Sequence, residues 1–536
     1  MKTIRNPIWP AGGMLILALT FFSGCIEDNF EFDKITGPEL NPTIAVPLVK
    51  SRLTLEDILP EHEFIRTDTA TGLVSLFFSA PQIISQTAEE RIQVPNQLFS
   101  ESAAFICPPL PIGETFTYQF EVERVFATEK PNQRLDEIYF RSGIVMVTIV
   151  SYFNKDAVVV LEVPNLINKT TGDTFEMVFQ MPYTGTQPGI LNIQTDLNPY
   201  RLHFINPQPD SNVLLLQYTT TLEGDGSTYP SESSLQTTVE FQEIKFERLI
   251  GYFGVYDFVF SDSIDIGFLS NTIEGELSLA PESIDFDLEI RNSYGLPIQL
   301  TIDPFRTFSQ DRPPVNINLF GPGIPNSFVI QAPQQPGQTT VTNIATTSNL
   351  AEAISSLPDM IEFDITAITN PGNNLDEVNF ILDTSRFEVG LSIEAELFGW
   401  VNDLILRDTV EFNLDTDQAD SLQLMVNIIN TFPLSAELQI YFCDAQYQVI
   451  DSLFGSDTQL IAGAPVGGEP DFRTDGSATK LTTVDVSGNK VENLARTKHF
   501  IIVTTLSTTD NAHAKIYNDY FIEVELATKA SFNVKP

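Results

Sequence analysis

The sequence predicts an all-β protein made of tandem antiparallel β-sandwiches, with an immunoglobulin-like arrangement and very little helix. Short runs rich in β-branched and aromatic residues recur along the whole chain, and clusters of Gly, Pro, Asn and Asp separate them. Segments with helical periodicity are scarce. Recurring strands, turn signals and few helices are together typical of sandwiches. The clearest strand segments are residues 144–153 (IVMVTIVSYF), 157–163, 213–223 (VLLLQYTTTLE), 387–398, 422–429 and 499–506.

The length of 536 residues predicts about four domains, at roughly 100 to 150 residues each. The predicted segments are a signal peptide at 1–24, an acidic flexible tether at 25–47, an N-terminal β domain at 48–130, and β-sandwiches at 131–250, 251–395 and 396–536. Two short helices are expected, at 54–59 (TLEDIL) and 349–357 (NLAEAISSL). In the second, Asn349 and Glu352 have the spacing of a capping box, and Pro358 ends the run.

A repeated corner links two of the predicted sandwiches. Residues 286–302 (FDLEIRNSYGLPIQLTI) and 422–442 (LQLMVNIINTFPLSAELQIYF) share the order strand, Asn, short corner, Pro, strand. A weaker third copy at 147–163 keeps Asn154 but has no proline. Asn tolerates left-handed or bulged backbone, and Pro fits where no N–H is needed. We therefore predict equivalent structural corners, away from any pocket, at Asn292, Pro297, Asn430 and Pro433.

The N-terminus resembles a bacterial lipoprotein signal. A short positive stretch precedes the apolar run 14–22 (MLILALTFF), which is too short to span a bilayer core that needs roughly 20 apolar residues. The small residues Ser23 and Gly24 then lead directly to Cys25. This pattern resembles a lipobox and implies that the Cys25 thiol carries a diacylglycerol. Several acyl chains together would give a stable anchor. The alternative is a secreted protein with an incidental cysteine.

Acidic residues follow this cysteine closely, at Glu27, Asp28, Glu31 and Asp33. They resemble the acidic export signal of surface lipoproteins in Bacteroidota-type bacteria, which implies an outer-membrane location facing the cell exterior. Two other interpretations remain open: a lipoprotein that faces the periplasm, and a solvated tether without an export role.

The composition excludes nucleic acid as a partner. The formal net charge is −42, and nucleic-acid binding needs clustered Lys and Arg to contact phosphates. A charge this negative also repels anionic lipid headgroups, so membrane contact is expected through the lipid anchor. Beyond Cys25 only Cys107 and Cys443 remain. They are far apart in sequence, and we expect the fold to rest on its cores rather than on a disulfide.

Sequence motifs for catalysis are absent. The chain has no phosphate-binding glycine loop, no G-x-S-x-G and no H-E-x-x-H. We therefore predict no catalytic residue, no metal site and no cofactor besides the lipid, with the acidic segment 415–420 (DTDQAD) as a weak candidate for Ca²⁺. Trp400 and the alternating rings of Tyr256, Phe258 and Phe260 are candidate sugar platforms, although such a stripe is more typical of a core.

Several segments also resemble a known group of proteins. Residues 40–59, 291–300 (RNSYGLPIQL) and 436–454 (AELQIYFCDAQYQVIDSLF), with the lipobox and its acidic continuation, are similar to a largely uncharacterised group of multi-sandwich surface lipoproteins of Bacteroidota. The resemblance implies place and architecture, and it carries over no catalytic or binding residue.

These observations together predict a non-enzymatic, lipid-anchored surface protein. We expect it to be an accessory or scaffold subunit of an outer-membrane complex of the transporter or barrel-assembly type. The expected partners are a barrel protein or other surface lipoproteins. The alternatives are an adhesin or glycan-binding lipoprotein, which would bind immobilised glycans or host proteins, and a hydrolase, which would show a perturbed carboxylate pair in a cleft.

Overall fold

The computed structural model describes residues 43–55, 64–205, 207–267, 270, 275–310, 312–345, 349–412, 421–468 and 470–531. Several predicted features lie outside these residues, and their assignments stay predictions. They are Cys25, Glu27, Asp28, Glu31, Asp33, the signal peptide, the acidic segment 415–420 and most of the helix expected at 54–59. The predicted tether ends earlier than expected, because Thr43 already begins a β-strand.

The described residues are almost entirely β, which confirms the predicted fold class. In chain order the strands are β1 (Thr43–Thr54), β2 (Ile65–Thr67), β3 (Val74–Thr87), β4 (Gln97–Cys107), β5 (Thr115–Val125), β6 (Arg134–Ser151), β7 (Ala157–Asn168), β8 (Thr174–Met181), β9 (Gly189–Asp196), β10 (Tyr200–His203), β11 (Val213–Glu223), β12 (Ser231–Tyr252), β13 (Asp257–Asp265), β14 (Glu276–Leu279), β15 (Ile284–Asn292) and β16 (Ile298–Phe308). The later strands are β17 (Ser327–Ile330), β18 (Thr340–Ile344), β19 (Met360–Thr369), β20 (Asn379–Leu382), β21 (Arg386–Glu396), β22 (Phe398–Asn402), β23 (Leu404–Glu411), β24 (Ser421–Asn430), β25 (Ser435–Cys443), β26 (Val449–Ser452), β27 (Gln459–Ile461), β28 (Ala478–Ser487), β29 (His499–Ser507), β30 (Ala514–Lys515) and β31 (Phe521–Ser531).

Helices within the described residues are short. They are α1 (Ala88–Arg91), α2 (Leu350–Ser355) and α3 (Asn489–Arg496), with single 3₁₀ turns at Pro281–Ser283 and Thr509–Asn511. The helix predicted at 349–357 is confirmed as α2, but its predicted capping box is wrong. The Asn349 side chain instead contacts a neighbouring loop, donating to Asn316 O at 2.6 Å and accepting from Asn318 N at 2.9 Å. None of the described helices is both long and apolar enough to cross a membrane.

The strands from β4 to β12 form a jelly roll. One layer has the order β4-β12-β6-β9 and the other the order β5-β11-β7-β8, with all pairs antiparallel. The short strand β10 pairs with both β6 and β7 and so joins the two layers along one edge. If these strands are lettered B to I along the chain, with β10 left out, the two orders are B-I-D-G and C-H-E-F. This is the strand order of a jelly roll. The sheets face each other, since Thr237 of β12 donates to the Tyr218 hydroxyl of β11 at 3.0 Å in the core.

Two further sandwiches follow and share one strand order. In the middle sandwich, β13-β19-β16-β17 packs on β18-β15-β21-β3-β2. In the C-terminal sandwich, β23-β29-β25-β26 packs on β28-β24-β31-β1, and β27 also pairs with β25. In chain order, the letters a to g stand for β13, β15, β16, β17, β18, β19 and β21 in the middle sandwich, and for β23, β24, β25, β26, β28, β29 and β31 in the C-terminal one. Both sandwiches then have the sheets a-f-c-d and e-b-g, with one earlier strand, β3 or β1, added beside g. Each also has a helix between e and f, which is α2 in the first and α3 in the second.

This order differs from the immunoglobulin-like order that the sequence analysis expected. The immunoglobulin fold places its first strand beside the second, and its last strand beside the sixth. Here the first strand, β13, pairs with the sixth, β19, and the last, β21, pairs with the second, β15. The first and last strands have therefore exchanged sheets. Local alternation identifies strands but leaves their partners open, because pairing is a long-range property.

Strand pairing also connects the three sandwiches. β20, which lies in the chain between β19 and β21 of the middle sandwich, pairs with β12 of the jelly roll, and the small sheet β14-β22-β30 joins the middle and C-terminal sandwiches. Residues 48–130, predicted as one N-terminal domain, contribute strands to all three: β1 to the C-terminal sandwich, β3 to the middle one, and β4 and β5 to the jelly roll. The predicted domain boundaries themselves stay a prediction.

The two asparagine corners have the same hydrogen-bond geometry, as predicted. Asn292 ends β15 and Asn430 ends β24, and both side chains are fully buried. Each donates from Nδ2 to the carbonyl four residues ahead, at 3.0 and 2.7 Å, and accepts at Oδ1 from the N–H two residues ahead, at 2.9 and 3.0 Å. One side chain therefore closes each corner on itself.

Two details of the corner prediction are wrong. The prolines are not equivalent, because Pro433 lies before the accepting carbonyl of its corner and Pro297 lies after it. Pro433 lies three residues after Asn430, and the equivalent residue after Asn292 is Gly295. A Cβ added at Gly295 would lie 2.4 Å from the Phe380 ring. The corners also border apolar cavities, which Tyr294 and Phe432 help to line. The third copy does not share this geometry, since the Asn154 side-chain oxygen has no hydrogen-bond partner among the described residues.

Candidate functional site

A row of basic and aromatic side chains crosses one face of the jelly roll where it meets β20. We call Tyr139, Arg201 and Arg248, with Glu137 and His203 beside them, the arginine face. Cross-strand pairing fixes the row, because Tyr139 on β6 lies opposite Arg248 on β12 and Arg201 on β10. The chain has only 29 Lys and Arg against 71 Asp and Glu. Two of its few positive charges therefore lie on either side of one tyrosine.

The alternation of the strands turns this face outward. The neighbouring residues on the same strands, Ile138, Leu202 and Leu249, are at most 1% exposed and lie in the core. Since successive side chains point to opposite faces of a sheet, the arginine face points toward solvent.

The tyrosine ring lies between the two guanidinium groups. The Arg248 guanidinium carbon is 3.9 Å from the centroid of the Tyr139 ring, within cation–π range. On the other side, Arg201 donates to the Tyr139 hydroxyl at 3.3 Å and to the Glu137 carboxylate at 2.8 Å. His203 Nδ1 is also 3.2 Å from that carboxylate. The ring is thus held from both sides.

Glu137 is the charge partner of only one of these arginines. Burial opposes ionisation of this carboxyl, but hydrogen bonding to Tyr139 and the charge of Arg201 hold its pKa below the usual value. Arg248 has no ion pair within the described residues, and its Nε has no acceptor. The Arg248 guanidinium therefore contacts the Tyr139 ring but no carboxylate among the described residues.

A cleft of about 670 Å³ lies next to the arginine face. Its Arg141 follows Tyr139 on β6 and binds Glu89 of α1 at 2.8 Å and Asp383, just after β20, at 2.7 Å. Lys245 of β12 also binds Glu89, at 3.2 Å. These ion pairs join the jelly roll to the middle sandwich. Lys245 and Arg141 lower the pKa of Glu89, so this carboxylate is ionised at neutral pH and serves the junction.

The candidate sugar platforms lie elsewhere and are tied to packing. Trp400 lines an apolar cavity of about 70 Å³ between the middle and C-terminal sandwiches, too small for a sugar. Phe258 and Phe260 pack against the core of the middle sandwich. Lys130 caps the Tyr256 ring, with its Nζ 4.3 Å from the ring centroid. These contacts support the core interpretation of the stripe.

The other histidines and cysteines among the described residues are packed against neighbouring side chains or buried. His499 stacks on Tyr447, and His513 packs edge-on against Phe398. Cys107 and Cys443 are both buried and free, as expected without a disulfide. No group of three or more potential metal ligands occurs within the part of the chain that the structure describes.

Sequence reasoning missed the arginine face. Its three central residues come from strands separated by long stretches of chain, and no short motif contains two of them. The signal in the sequence is weak: an arginine at an outward position of a strand, in a chain that uses few arginines.

No protein-family model matches the chain, and no curated protein matches its sequence. Among solved structures, a protein from Parabacteroides distasonis described as secreted is 10% identical, with a TM-score of 0.32 over 53% of this chain and 89% of that chain. A triple jelly-roll structure from an archaeal virus is 10% identical, with a TM-score of 0.10 over 85% of this chain and 98% of that one. A structure of infectious bursal disease virus is 9% identical, with a TM-score of 0.15 over 83% and 82%. TM-scores this low carry no argument about this chain.

Proposed function

We propose that this protein acts by contact, as a lipid-anchored accessory or scaffold subunit of an outer-membrane protein complex at the cell surface. The arginine face is the surface that meets the partner. The observation that carries this proposal is Arg248, whose guanidinium is stacked on Tyr139 and has no ion pair among the described residues.

The composition of this face suits a protein contact. Arg and Tyr are enriched among the few residues that dominate binding energy at interfaces. Stacking fixes the Arg248 guanidinium before binding, so less side-chain entropy is lost when a partner carboxylate pairs with it. The partner chemistry is therefore an acidic patch on a folded protein, on an outer-membrane barrel or another surface lipoprotein.

The lipid on Cys25 supports the same proposal. An anchor confines both partners to one membrane and raises the effective concentration of a weak contact. The acidic residues Glu27, Asp28, Glu31 and Asp33 would place the anchored chain outside the cell. No cofactor besides the lipid enters this function, and Ca²⁺ at 415–420 has no part in it.

Affinity purification in mild detergent, followed by mass spectrometry, tests the proposal. The wild-type chain is compared with Arg248→Ala and with Arg291→Ala, an exposed arginine that pairs locally with Glu289 at 2.6 Å. We expect an outer-membrane protein to co-purify with the wild type and with Arg291→Ala, and its recovery to fall about tenfold with Arg248→Ala. Equal recovery from all three would contradict the proposal.

A further inference from the structure

The end of the jelly roll that faces away from the middle sandwich is formed by four loops, which we call the loop end. They connect the strand pairs β4–β5, β6–β7, β8–β9 and β11–β12, at residues 108–114, 152–156, 182–188 and 224–230. The opposite end contains β10 and the contact with β20. Loops grouped at one end of a rigid sandwich commonly carry recognition.

The loop end exposes apolar side chains. Ile112 is 83% exposed and Tyr229 is 80% exposed, the two highest values among the exposed large hydrophobic residues described. Tyr183 in the adjacent loop is 41% exposed. Ile112 lies against the loop that carries Tyr229, since a Cβ at Gly226 would lie 3.3 Å from the Ile112 side chain. Apolar residues grouped on one surface mark an interaction site. The loops are also rich in Pro, Gly, Tyr and Thr (PPLPIGE, YFNKD, PYTGTQP, GDGSTYP).

A buried lysine holds two of the loops together. The Lys155 side chain is 1% exposed, and its Nζ lies 2.7 Å from Asp225 and 2.9 Å from the Ser227 hydroxyl. That hydroxyl accepts in turn from Leu110 N at 3.3 Å, which ties in the first loop. The Lys155 hydrogen bond lowers the pKa of Asp225 to about 2, so the pair is ionised at neutral pH.

The fourth loop, 182–188, is joined to loop 152–156 by two hydrogen bonds. Tyr183 N donates to the Asp156 carboxylate at 2.7 Å, and the Gln187 side chain donates to Tyr152 O at 3.0 Å. The four loops therefore form one pre-organised surface, and a partner that binds it meets a smaller ordering cost.

The charge of the loop end indicates its partner. Lys155 is the one Lys or Arg in the four loops, and it is buried and paired. Glu114 and Asp156 are exposed beside the apolar residues. We propose that the loop end is a second binding site, independent of the arginine face, for a folded protein with an apolar pocket rimmed by Lys and Arg. Ile112 and Tyr229 are the anchors that enter this pocket.

Site-specific photocrosslinking on intact cells tests this inference. A benzophenone amino acid replaces Ile112, Tyr229 or, as a control, Val341, which is 49% exposed on β18 of the middle sandwich. We expect one discrete crosslinked protein from the first two positions and none from the third. The crosslinked peptide of the partner should contain apolar residues with Lys or Arg beside them, and raised salt should lower the yield.

A paired variant test checks the anchors. Tyr229→Ser should lower the crosslink yield from position 112 about tenfold, while Arg248→Ala should leave it unchanged. A crosslink to a glycan or to a second copy of this chain, or equal yields from all three positions, would overturn the inference. If no outer-membrane protein co-purifies with the wild type, or if Arg248→Ala leaves its recovery unchanged, while this crosslink stays intact, the proposed function alone is overturned.

Discussion

Arg141 and Arg248 lie close together on neighbouring strands, yet they have opposite surroundings. Arg141 binds two carboxylates, Glu89 and Asp383, and so holds the jelly roll against the middle sandwich. Arg248 stacks on Tyr139 and has no ion pair among the described residues. We therefore assign a structural role to the paired Arg141 and propose a binding role for Arg248, in a chain that is short of positive charge.

Replacing the stacked arginine should give the largest effect on binding. Arg248→Ala removes the charge offered to a partner carboxylate, and we expect its affinity for the outer-membrane partner to fall about tenfold or more. Stability should fall by only about 0.5 kcal/mol, the scale of one cation–π contact at an exposed site, since the side chain has no ion pair to lose. Pull-down titration and thermal unfolding measure the two effects. A large loss of stability would give Arg248 a structural role instead.

Replacing the paired arginine should show the reverse pattern. Arg141→Ala leaves Glu89 and Asp383 without their shared cation, and we expect the free energy of unfolding to fall by about 1 kcal/mol, because solvent screens this part-exposed group. Partner binding should stay within about twofold of the wild type, on the scale where 1.4 kcal/mol is tenfold. Denaturant unfolding and the same pull-down measure both. A binding loss as large as that of Arg248→Ala would remove the distinction.

The junction should also depend on pH in a defined direction. The Lys245 hydrogen bond and the Arg141 charge lower the folded-state pKa of Glu89 below its unfolded value. The pairing therefore stabilises the fold above the ordinary glutamate pKa, and this contribution is lost as the pH falls through the lowered value. The melting-temperature difference between wild type and Glu89→Gln should be present at pH 7 and shrink in acid. A constant difference would contradict the assignment.

Arg248→Lys, for which we expect the smallest effect, distinguishes the charge of the arginine face from its stacking. Arg248→Lys keeps the charge but loses the planar group that stacks on Tyr139 and pairs with a carboxylate in two places. We expect an affinity loss of about two- to fivefold, between wild type and Arg248→Ala, on the scale where 1.4 kcal/mol is tenfold. The same pull-down titration measures it. If the lysine variant binds as weakly as the alanine variant, geometry matters more than charge.

Local patterns in the sequence were sufficient for much of the fold. The segment predicted at 213–223 is β11 without a shift at either end, because period-2 alternation between turn signals is a property of neighbouring residues. The Asn292 and Asn430 corners were also predictable, since each side chain bonds within four residues of itself. The segment 387–398 was less clear and divides into β21 and β22.

Features that depend on distant partners were not predictable. The capping box expected at Asn349 failed because that side chain bonds a loop over 30 residues away, whereas Glu90 of the unpredicted α1 does accept from the Thr87 N–H. The exchange of first and last strands, the jelly-roll order and the arginine face all need long-range register. Tyr139 and Arg248 become neighbours only through the pairing of β6 with β12.

A photocrosslinker placed beside Arg248 in living cells tests most directly whether an outer-membrane protein binds at the arginine face. Leu382 is suitable, because it lies opposite Arg248 on β20, and Leu481 on β28, 67% exposed in the C-terminal sandwich, is the control position. We expect a discrete crosslink from position 382 to an outer-membrane protein, which disappears when Arg248→Ala is added, and no such product from position 481. A crosslink that persists in the Arg248→Ala background, or no crosslink from position 382, would contradict it.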